Sequence, residues 1–292
     1  MAGERLDECT VGLLGIPGDR GWALRDETTG EITNGKNFPV LMQCAARYRE
    51  PPRADFIPPV DMIFPDGSAV GSDAPDVNER LAGLIGRPVS LWPLRPAEDE
   101  EHYRRKSKTA RVFGKLARFR AFRAALPVLT SFGPANEQLR QGFSREPGEP
   151  LPDLSTLPAE LIEFTSPRGT YFDAFPIHVL TTASLDYMTR LNPEAVWDVR
   201  RFRPNFLIET SAGIKGLVEA EWEGRKIRIG EVEIKCELPT VRCGMTIQAQ
   251  AGLEKDPSIL RTIVRDADQN LGVYASVVAA GNIRVGDLVE LS

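Results

Sequence analysis

Turn-forming residues interrupt the first half of this chain so regularly that no element there can run far. Between Gly12 and Ser131 the signals Pro17-Gly18-Asp19, Thr29-Gly30, Asn34-Gly35, Pro51-Pro52 and Pro65-Asp66-Gly67 recur at short intervals. Glycine supplies the left-handed backbone of tight turns, and proline disfavours helix interiors and cannot donate to a sheet. What lies between is therefore read as short strands with few long helices. Gly21-Trp22-Ala23-Leu24 and Thr28-Thr29-Gly30-Glu31-Ile32 read as a hairpin. Val77 to Ile85 reads as a short helix, with Asp76 at the N-cap and Glu79 three residues on, the spacing of a capping box.

Residues Glu146 to Pro158, with four prolines and three acids, form the expected linker. The predicted organisation is a β-rich domain over 1–130, a connecting segment over 131–158 and a second domain over 159–292. In the last stretch Ser184 to Leu191 reads as a helix capped by Thr181-Thr182. Phe206–Ile208, Ile227–Ile234, Val273–Ala279 and Leu288–Leu291 read as strands of a barrel. A chain of 292 residues buries enough surface to fold on its own core.

Charge and residue counts exclude several classes. A net charge of −5 with 26% charged residues describes neither a disordered chain nor a general nucleic-acid binder. The two histidines, His102 and His178, exclude a His-rich metal site. The four cysteines, Cys9, Cys44, Cys236 and Cys243, show no zinc-like spacing, and nothing at the N-terminus resembles a signal peptide. Free thiols in a cytoplasmic protein are expected. No apolar stretch approaches the ~20 residues that span a bilayer, so no membrane partner is expected. One local anomaly stands out. Arg104 to Arg123 carries nine Lys or Arg and no acid, with Val112, Leu116 and Phe119 spaced as one apolar helical face under a basic cover. It reads as a solvated helix or loop, or as an electrostatic funnel for an anionic ligand.

Four places could carry chemistry. Cys243 lies in PTVRCGMT, where Arg242 favours a thiolate and Gly244 opens the backbone to a ligand. An inert buried cysteine is the alternative, and Cys236 is expected on the opposite strand face. In Arg200-Arg201-Phe202-Arg203-Pro204-Asn205, Pro204 is expected to hold Arg203 extended, so that Arg201 and Arg203 share a side suited to phosphate or carboxylate. The aromatic flanks of Asp173 imply partial burial, against an arginine or a polar ligand. Lys36 leaves a tight Asn34-Gly35 turn, and His178 reads as a satisfied core histidine.

Taken in order, GIPGDRGW (15–22), TNGK (33–36), FDAFP (172–176), TTASL (181–185), RRFRPN (200–205), PTVRCGMT (239–246) and GNIRVGDLVEL (281–291) resemble the MOSC family, named for the C-terminal domain of molybdenum-cofactor sulfurases. The resemblance spans nearly the whole chain. It implies a mixed α+β, β-rich fold with an N-terminal MOSC-type β-barrel domain and a C-terminal MOSC β-barrel domain. In relatives similar to the amidoxime-reducing enzymes, the cysteine of R-C-x-x-T ligates molybdenum held by a pterin dithiolene, and that role falls on Cys243. The same resemblance places Asp173, Arg203 and Asn205 near the pterin or its phosphate, with Arg201 on the same basic segment. It places Lys36 after the first hairpin, Tyr274 beside Gly272, and Arg242 and Thr246 flanking the sulfur. The family's opening Y-P-x-K-S strand has no counterpart in Met1–Leu6, so an open sheet edge is expected. Gln248–Gly252 stands where the family has D-P-x-T-G, and an Asp-Pro pair follows only at Asp256-Pro257.

The resemblance implies a molybdenum-cofactor (molybdopterin) oxidoreductase that reduces N-oxygenated or related small substrates. Its electrons would come from a separate donor protein, because no flavin, haem or iron–sulfur signature is present. The alternatives are a cofactor-free sulfur carrier with a persulfide on Cys243, or a small-molecule-binding protein on the same fold. Substrate and oligomeric state are left open.

Overall fold

The computed structural model describes residues 1–117 and 119–292. Its strands are β1 (Glu8–Val11), β2 (Trp22–Asp26), β3 (Glu31–Thr33), β4 (Ala45–Tyr48), β5 (Val60–Ile63), β6 (Ala69–Gly71), β7 (Val89–Pro93), β8 (Ile177–Thr181), β9 (Phe206–Ile208), β10 (Lys226–Ile229), β11 (Val232–Val241), β12 (Asn270–Ala279), β13 (Gly281–Arg284) and β14 (Val289–Leu291). Its α-helices are α1 (Val77–Ile85), α2 (Glu100–Tyr103), α3 (Lys108–Leu116), α4 (Arg120–Leu129), α5 (Gly133–Phe143), α6 (Glu160–Glu163), α7 (Thr182–Leu191) and α8 (Pro257–Asp266).

Two compact units result, and neither is continuous in sequence. The first takes Met1, Gly18–Gln141 and Asp153–Ala174, and the second Ala2–Pro17, Gly142–Pro152 and Phe175–Ser292. Residues 142–152, from the expected linker, fold with the second unit. So does β1, paired antiparallel to β13 from Glu8↔Arg284 to Val11↔Gly281. Long-range pairing of this kind leaves no local sequence signal.

The first unit carries two three-stranded sheets, β3-β2-β7 and β4-β5-β6. The hairpin and α1 form where the sequence places them. Helix α1 ends on Gly86 in the left-handed region (φ 77°), its N–H bonded to the Ala82 carbonyl. Asp76 does not cap it, because its carboxylate pairs with Arg80 at 3.2 Å. His102 is buried, its Nε2 2.8 Å from the Tyr171 hydroxyl, and burial pushes its pKa down.

The expectation of few long helices fails over 108–143, where α3, α4 and α5 follow one another. Helix α3 is held close to α6 by Gly114, where a Cβ would lie 2.3 Å from that of Glu163. The Phe113 ring meets Phe122 of α4 edge-on at 5.5 Å. Phe119 caps the start of α4, so the stripe Val112–Leu116–Phe119 is not one continuous helical face. Arg118 of the basic run lies outside the described residues.

The second unit is built on one six-stranded sheet, β14-β10-β11-β12-β8-β9, curved as a half-barrel. All its pairs are antiparallel except β8–β9, which are parallel and joined by the α7 crossover. Alternation along the strands separates two cores. Ile177, Val179, Val273 and Ile234 pack inside the curve with Val11. Leu180 and Leu271 face outward onto Met188 of α7 and Ile259 and Ile263 of α8. The stretch Ile227–Ile234, read as one strand, is a hairpin turning at Gly230 (φ 53°). Asp256 caps α8 by accepting from the Ser258 N–H at 2.9 Å, with Pro257 in the first turn. That Asp-Pro pair is a helix start. Among the described residues no helix is long and apolar enough to cross a membrane.

Thr181 caps α7, accepting from the Ser184 N–H. Both hydroxyls also donate to Glu219 Oε2, Thr181 at 2.7 Å and Ser184 at 2.6 Å. Glu219 is fully buried, and its Oε1 has no hydrogen-bond partner among the described residues. Burial pushes its pKa up. A carboxyl with a raised folded-state pKa binds its proton more tightly folded than unfolded. Its contribution to stability is therefore full below the ordinary value of about 4.3 and is lost as pH rises through the folded value. Glu219→Gln keeps the acceptor and removes the titration, so urea midpoints measured from pH 4 to 8 are expected to fall less in the variant. Equal slopes would refute the assignment. Ile263→Ala, which empties the fully buried contact of α8 with the sheet, is expected to cost about 2–5 kcal/mol in the same measurement.

Candidate functional site

The site starts where β11 leaves the sheet. Register shifts against β12 fall between Cys236 and Leu238 and between Pro239 and Val241, the second one letting a proline sit in an interior strand. The strand ends by docking the Arg242 N–H on the Gln269 carbonyl at 2.9 Å.

Arg242 turns inward. Its Nε donates to the Leu271 carbonyl at 2.8 Å, Nη1 to that of Phe202 at 3.3 Å, and Nη2 to His178 Nε2 at 2.5 Å. Arginine can only donate, so His178 accepts on Nε2 as a neutral imidazole carrying its proton on Nδ1. His178, on β8, is a satisfied core histidine as the sequence suggested. Gly272 makes the approach possible. Its φ is +89°, and a Cβ there would lie 2.2 Å from His178 Nε2. Tyr274 pairs with His178 across the strands and meets its ring at 6.0 Å.

Three successive carbonyls of the next turn are held from behind. Arg145 Nη2 donates to the Arg242 carbonyl at 2.9 Å. The Cys243 carbonyl accepts from Thr246 N at 3.2 Å and from its Oγ1 at 3.1 Å, which gives the C-x-x-T spacing a physical reason. Gln248 Nε2 donates to the Gly244 carbonyl at 2.9 Å. Gly244 must be glycine, because a Cβ would lie 2.1 Å from Ser144 Oγ. Cys243 itself is half-buried. Cys236 is fully buried, and burial pushes its thiol up to about 11, so it stays protonated at neutral pH.

The arginine segment is not the basic strand expected. Val199–Arg201 is a turn of 3-10 helix capped by Asp198, which accepts from the Arg200 N–H. Arg203 follows in the left-handed region (φ 52°), its N–H bonded to the Val199 carbonyl at 3.2 Å, and Pro204 ends the turn. The helical cap outcompetes the extended bias that a following proline imposes. Arg201 is buried, and its guanidinium donates to the carbonyls of Val196, Gln248 and Glu254 at 3.1, 3.3 and 2.7 Å and to that of Thr246 at 3.5 Å. Asn205 accepts from the His178 N–H at 2.9 Å and donates its own N–H to the His178 carbonyl, fixing β9 beside β8.

Sequence reasoning missed Arg145, Gln269 and Arg261. Arg145 is buried and also donates to Gln269 Oε1 at 3.2 Å. Burial pushes its pKa down, while Glu149 and the Cys243 sulfur push it back. Arg261 of α8 holds the Ser144 carbonyl at 2.5 Å and Glu149 at 2.6 Å. An arginine at the start of an acidic, proline-rich stretch gave no signal of this role.

Lys36 and Asp173 belong to the first unit. Lys36 N–H donates to Asn34 Oδ1 at 3.0 Å. Asp173 is not half-buried: its side chain is 72% exposed, with Arg20 of the same unit at 4.0 Å in place of an arginine of 200–203. Among the described residues no group of three or more His, Cys, Asp or Glu is placed to hold a metal ion.

Residues 166–290 match the family model of the MOSC domain. Among solved structures, the YUAD protein of Bacillus subtilis is 20% identical over 42% of this chain and 68% of its own, with a TM-score of 0.33. YiiM of Geobacillus stearothermophilus is 16% identical over 40% and 54% (TM-score 0.32), and YiiM of Escherichia coli 17% over 44% and 58% (TM-score 0.29). Curated protein sequences gave no match. The family match covers β8 to β13, the first two residues of β14 and the whole Cys243 turn, so this chain carries a MOSC domain over residues 166–290.

Proposed function

We propose that this domain binds a pterin-type molybdenum cofactor with Cys243 as its protein ligand, and that the protein is an oxidoreductase for N-oxygenated or related small substrates, supplied with electrons by a separate protein. The observation that carries the reading is the Cys243 turn, whose carbonyls are all engaged from behind while its sulfur is half-buried at the surface of the fold.

The donor set fits such a group. A single soft sulfur, with no cluster of three or more His, Cys, Asp or Glu among the described residues, suits a thiophilic metal whose other donors come from a dithiolene. The group, when bound, would supply two-electron chemistry at the metal. The chain's own part is orientation. Arg145, Arg201 and Arg242 fix the backbone on which the sulfur sits, and Thr246 closes the turn. Arg203, half-buried on its left-handed turn, is the residue we assign to the pterin phosphate. Arg201, Arg242 and Asn205, with their donors engaged inside the fold, position it. A persulfide relay through Cys236 is disfavoured by that thiol's burial.

Protein made in a cofactor-competent host is expected to carry molybdenum in near-stoichiometric amount by elemental analysis, and Cys243→Ala to lose it. Purified protein with neither metal nor pterin, and a ~32 Da adduct on Cys243 in mass spectra, would establish the sulfur-carrier alternative instead. The ligand and positioning roles separate in denaturant unfolding. Cys243→Ala should change stability by less than about 1 kcal/mol. Arg242→Ala strips a buried donor from two carbonyls and an imidazole and should cost about 2–5 kcal/mol. Comparable losses for the two would contradict the division of labour.

A further inference from the structure

Helices α3 and α4 and the turn that follows α4 expose large apolar side chains of the kind a globular protein usually buries. Val112, Leu116 and Phe119 are 55%, 38% and 59% exposed, and Val128, Leu129 and Phe132 are 67%, 47% and 79% exposed. Single exposed apolar residues need no explanation, but a cluster of large ones marks a contact surface. The helices are anchored from their other side, where Ala117 and Leu126 are buried and Phe113 meets Phe122. The outward faces are therefore not the result of helices failing to pack.

Charge accompanies the apolar groups. Arg111 and Lys115 are exposed beside Val112 and Leu116 on α3, and Arg120 is exposed on α4 with Ala124 and Val128 one and two turns on. From Arg104 to Asn136 there is no Asp or Glu at all, against nine Lys or Arg.

We propose that the α3–α4 segment docks on an anionic lipid surface. Its apolar side chains would enter the headgroup–acyl boundary, and Arg111, Lys115 and Arg120 would meet the headgroup charges. A helix lying in the interface needs no spanning segment, so the lack of one does not exclude a membrane partner. Two other occupants fit less well. A second copy would bring two acid-free, cationic faces together, and a nucleic acid would leave the aliphatic groups Val112, Leu116, Val128 and Leu129 against phosphates. A bilayer with anionic lipid satisfies both halves of the surface.

The test is flotation of the full chain with vesicles of phosphatidylcholine, with and without phosphatidylserine. Binding is expected only with phosphatidylserine, and it should weaken as salt is raised toward 1 M, where the screening length is about 3 Å. Phe119→Asp with Phe132→Asp should abolish it. Arg111→Gln and Arg120→Gln should each weaken it roughly fivefold. All four positions are solvent-facing or near it, so circular dichroism and thermal unfolding should be unchanged. Cys243→Ala should float like the parent, which keeps this surface separable from the cofactor reading. Equal flotation with pure phosphatidylcholine, none with phosphatidylserine at low salt, or full flotation of the double Phe variant would overturn the proposal. So would a dimer in sedimentation that the same Phe variant dissolves, or tighter binding to single-stranded RNA than to anionic vesicles.

Discussion

Three buried guanidinium groups satisfied by backbone carbonyls hold the candidate site together. Arg145, Arg201 and Arg242 are 6%, 3% and 7% exposed, and the acceptors around them are eight carbonyl oxygens, one amide oxygen and one imidazole nitrogen. Burial pushes Arg145 and Arg201 down, yet a guanidinium has no neutral form within reach at physiological pH. The charge must then be dispersed by dipoles. Each fork-shaped group takes several carbonyls at fixed angles, and together these carbonyls tie separate pieces of chain, among them the Cys243 turn, the Phe202 turn, the end of α5 and the start of β12. Removing one guanidinium would leave several oriented oxygens buried without donors, so the turn has few alternative conformations available.

The rest of the second unit can be read as what that arrangement requires. The shifts in β11 let Pro239 sit inside a sheet and aim the strand's end at Gln269. Gly272 lets β12 approach β8 closely enough for His178 to meet Arg242. Asn205 locks the parallel pair β8–β9, which places the Phe202 carbonyl. Arg261 fastens the 144–149 segment to α8, so a piece of chain from the middle of the sequence is held under a turn nearly a hundred residues later. Glu219 is a related case of opposite sign. It is a buried acid held by two hydroxyls, and burial raises its pKa.

Much of this fold was legible where the cause is local. The α7 cap at Thr181, the α1 stop at Gly86 and the β2–β3 hairpin each follow from residues within a turn of one another. The cysteine in R-C-x-x-T was legible as a candidate, because arginine, glycine and threonine around a thiol are chemically informative. What Arg242 does there was not: proximity in sequence suggested a charge beside the sulfur, whereas the guanidinium points at His178, 64 residues away. RRFRPN misled for a related reason. Three adjacent arginines look like one surface, but Arg200 pairs with Asp198, Arg201 is buried and Arg203 takes a left-handed cap. Arginine-to-carbonyl bonding, discontinuous units and strand pairing such as β1–β13 are set by distant chain, and no local pattern encodes them.

The same chemistry explains why the acid-free run at 104–136 differs from those interior arginines. Arg104 is drawn into ion pairs with Glu100 and Glu163, and half-buried Arg105 reaches the Leu161 carbonyl, so the first part of the run is spent on folding. Beyond it no acid is near in sequence. Nine of the 36 Lys and Arg fall in this stretch, which leaves 27 against 41 Asp and Glu elsewhere. An anionic surface would therefore attract this stretch and repel the remainder of the chain. Both forces act within a screening length of about 8 Å at physiological salt. Attraction at one short segment combined with repulsion elsewhere fixes an orientation as well as an affinity, and the apolar side chains on the same helices would make that orientation the one in which they leave water.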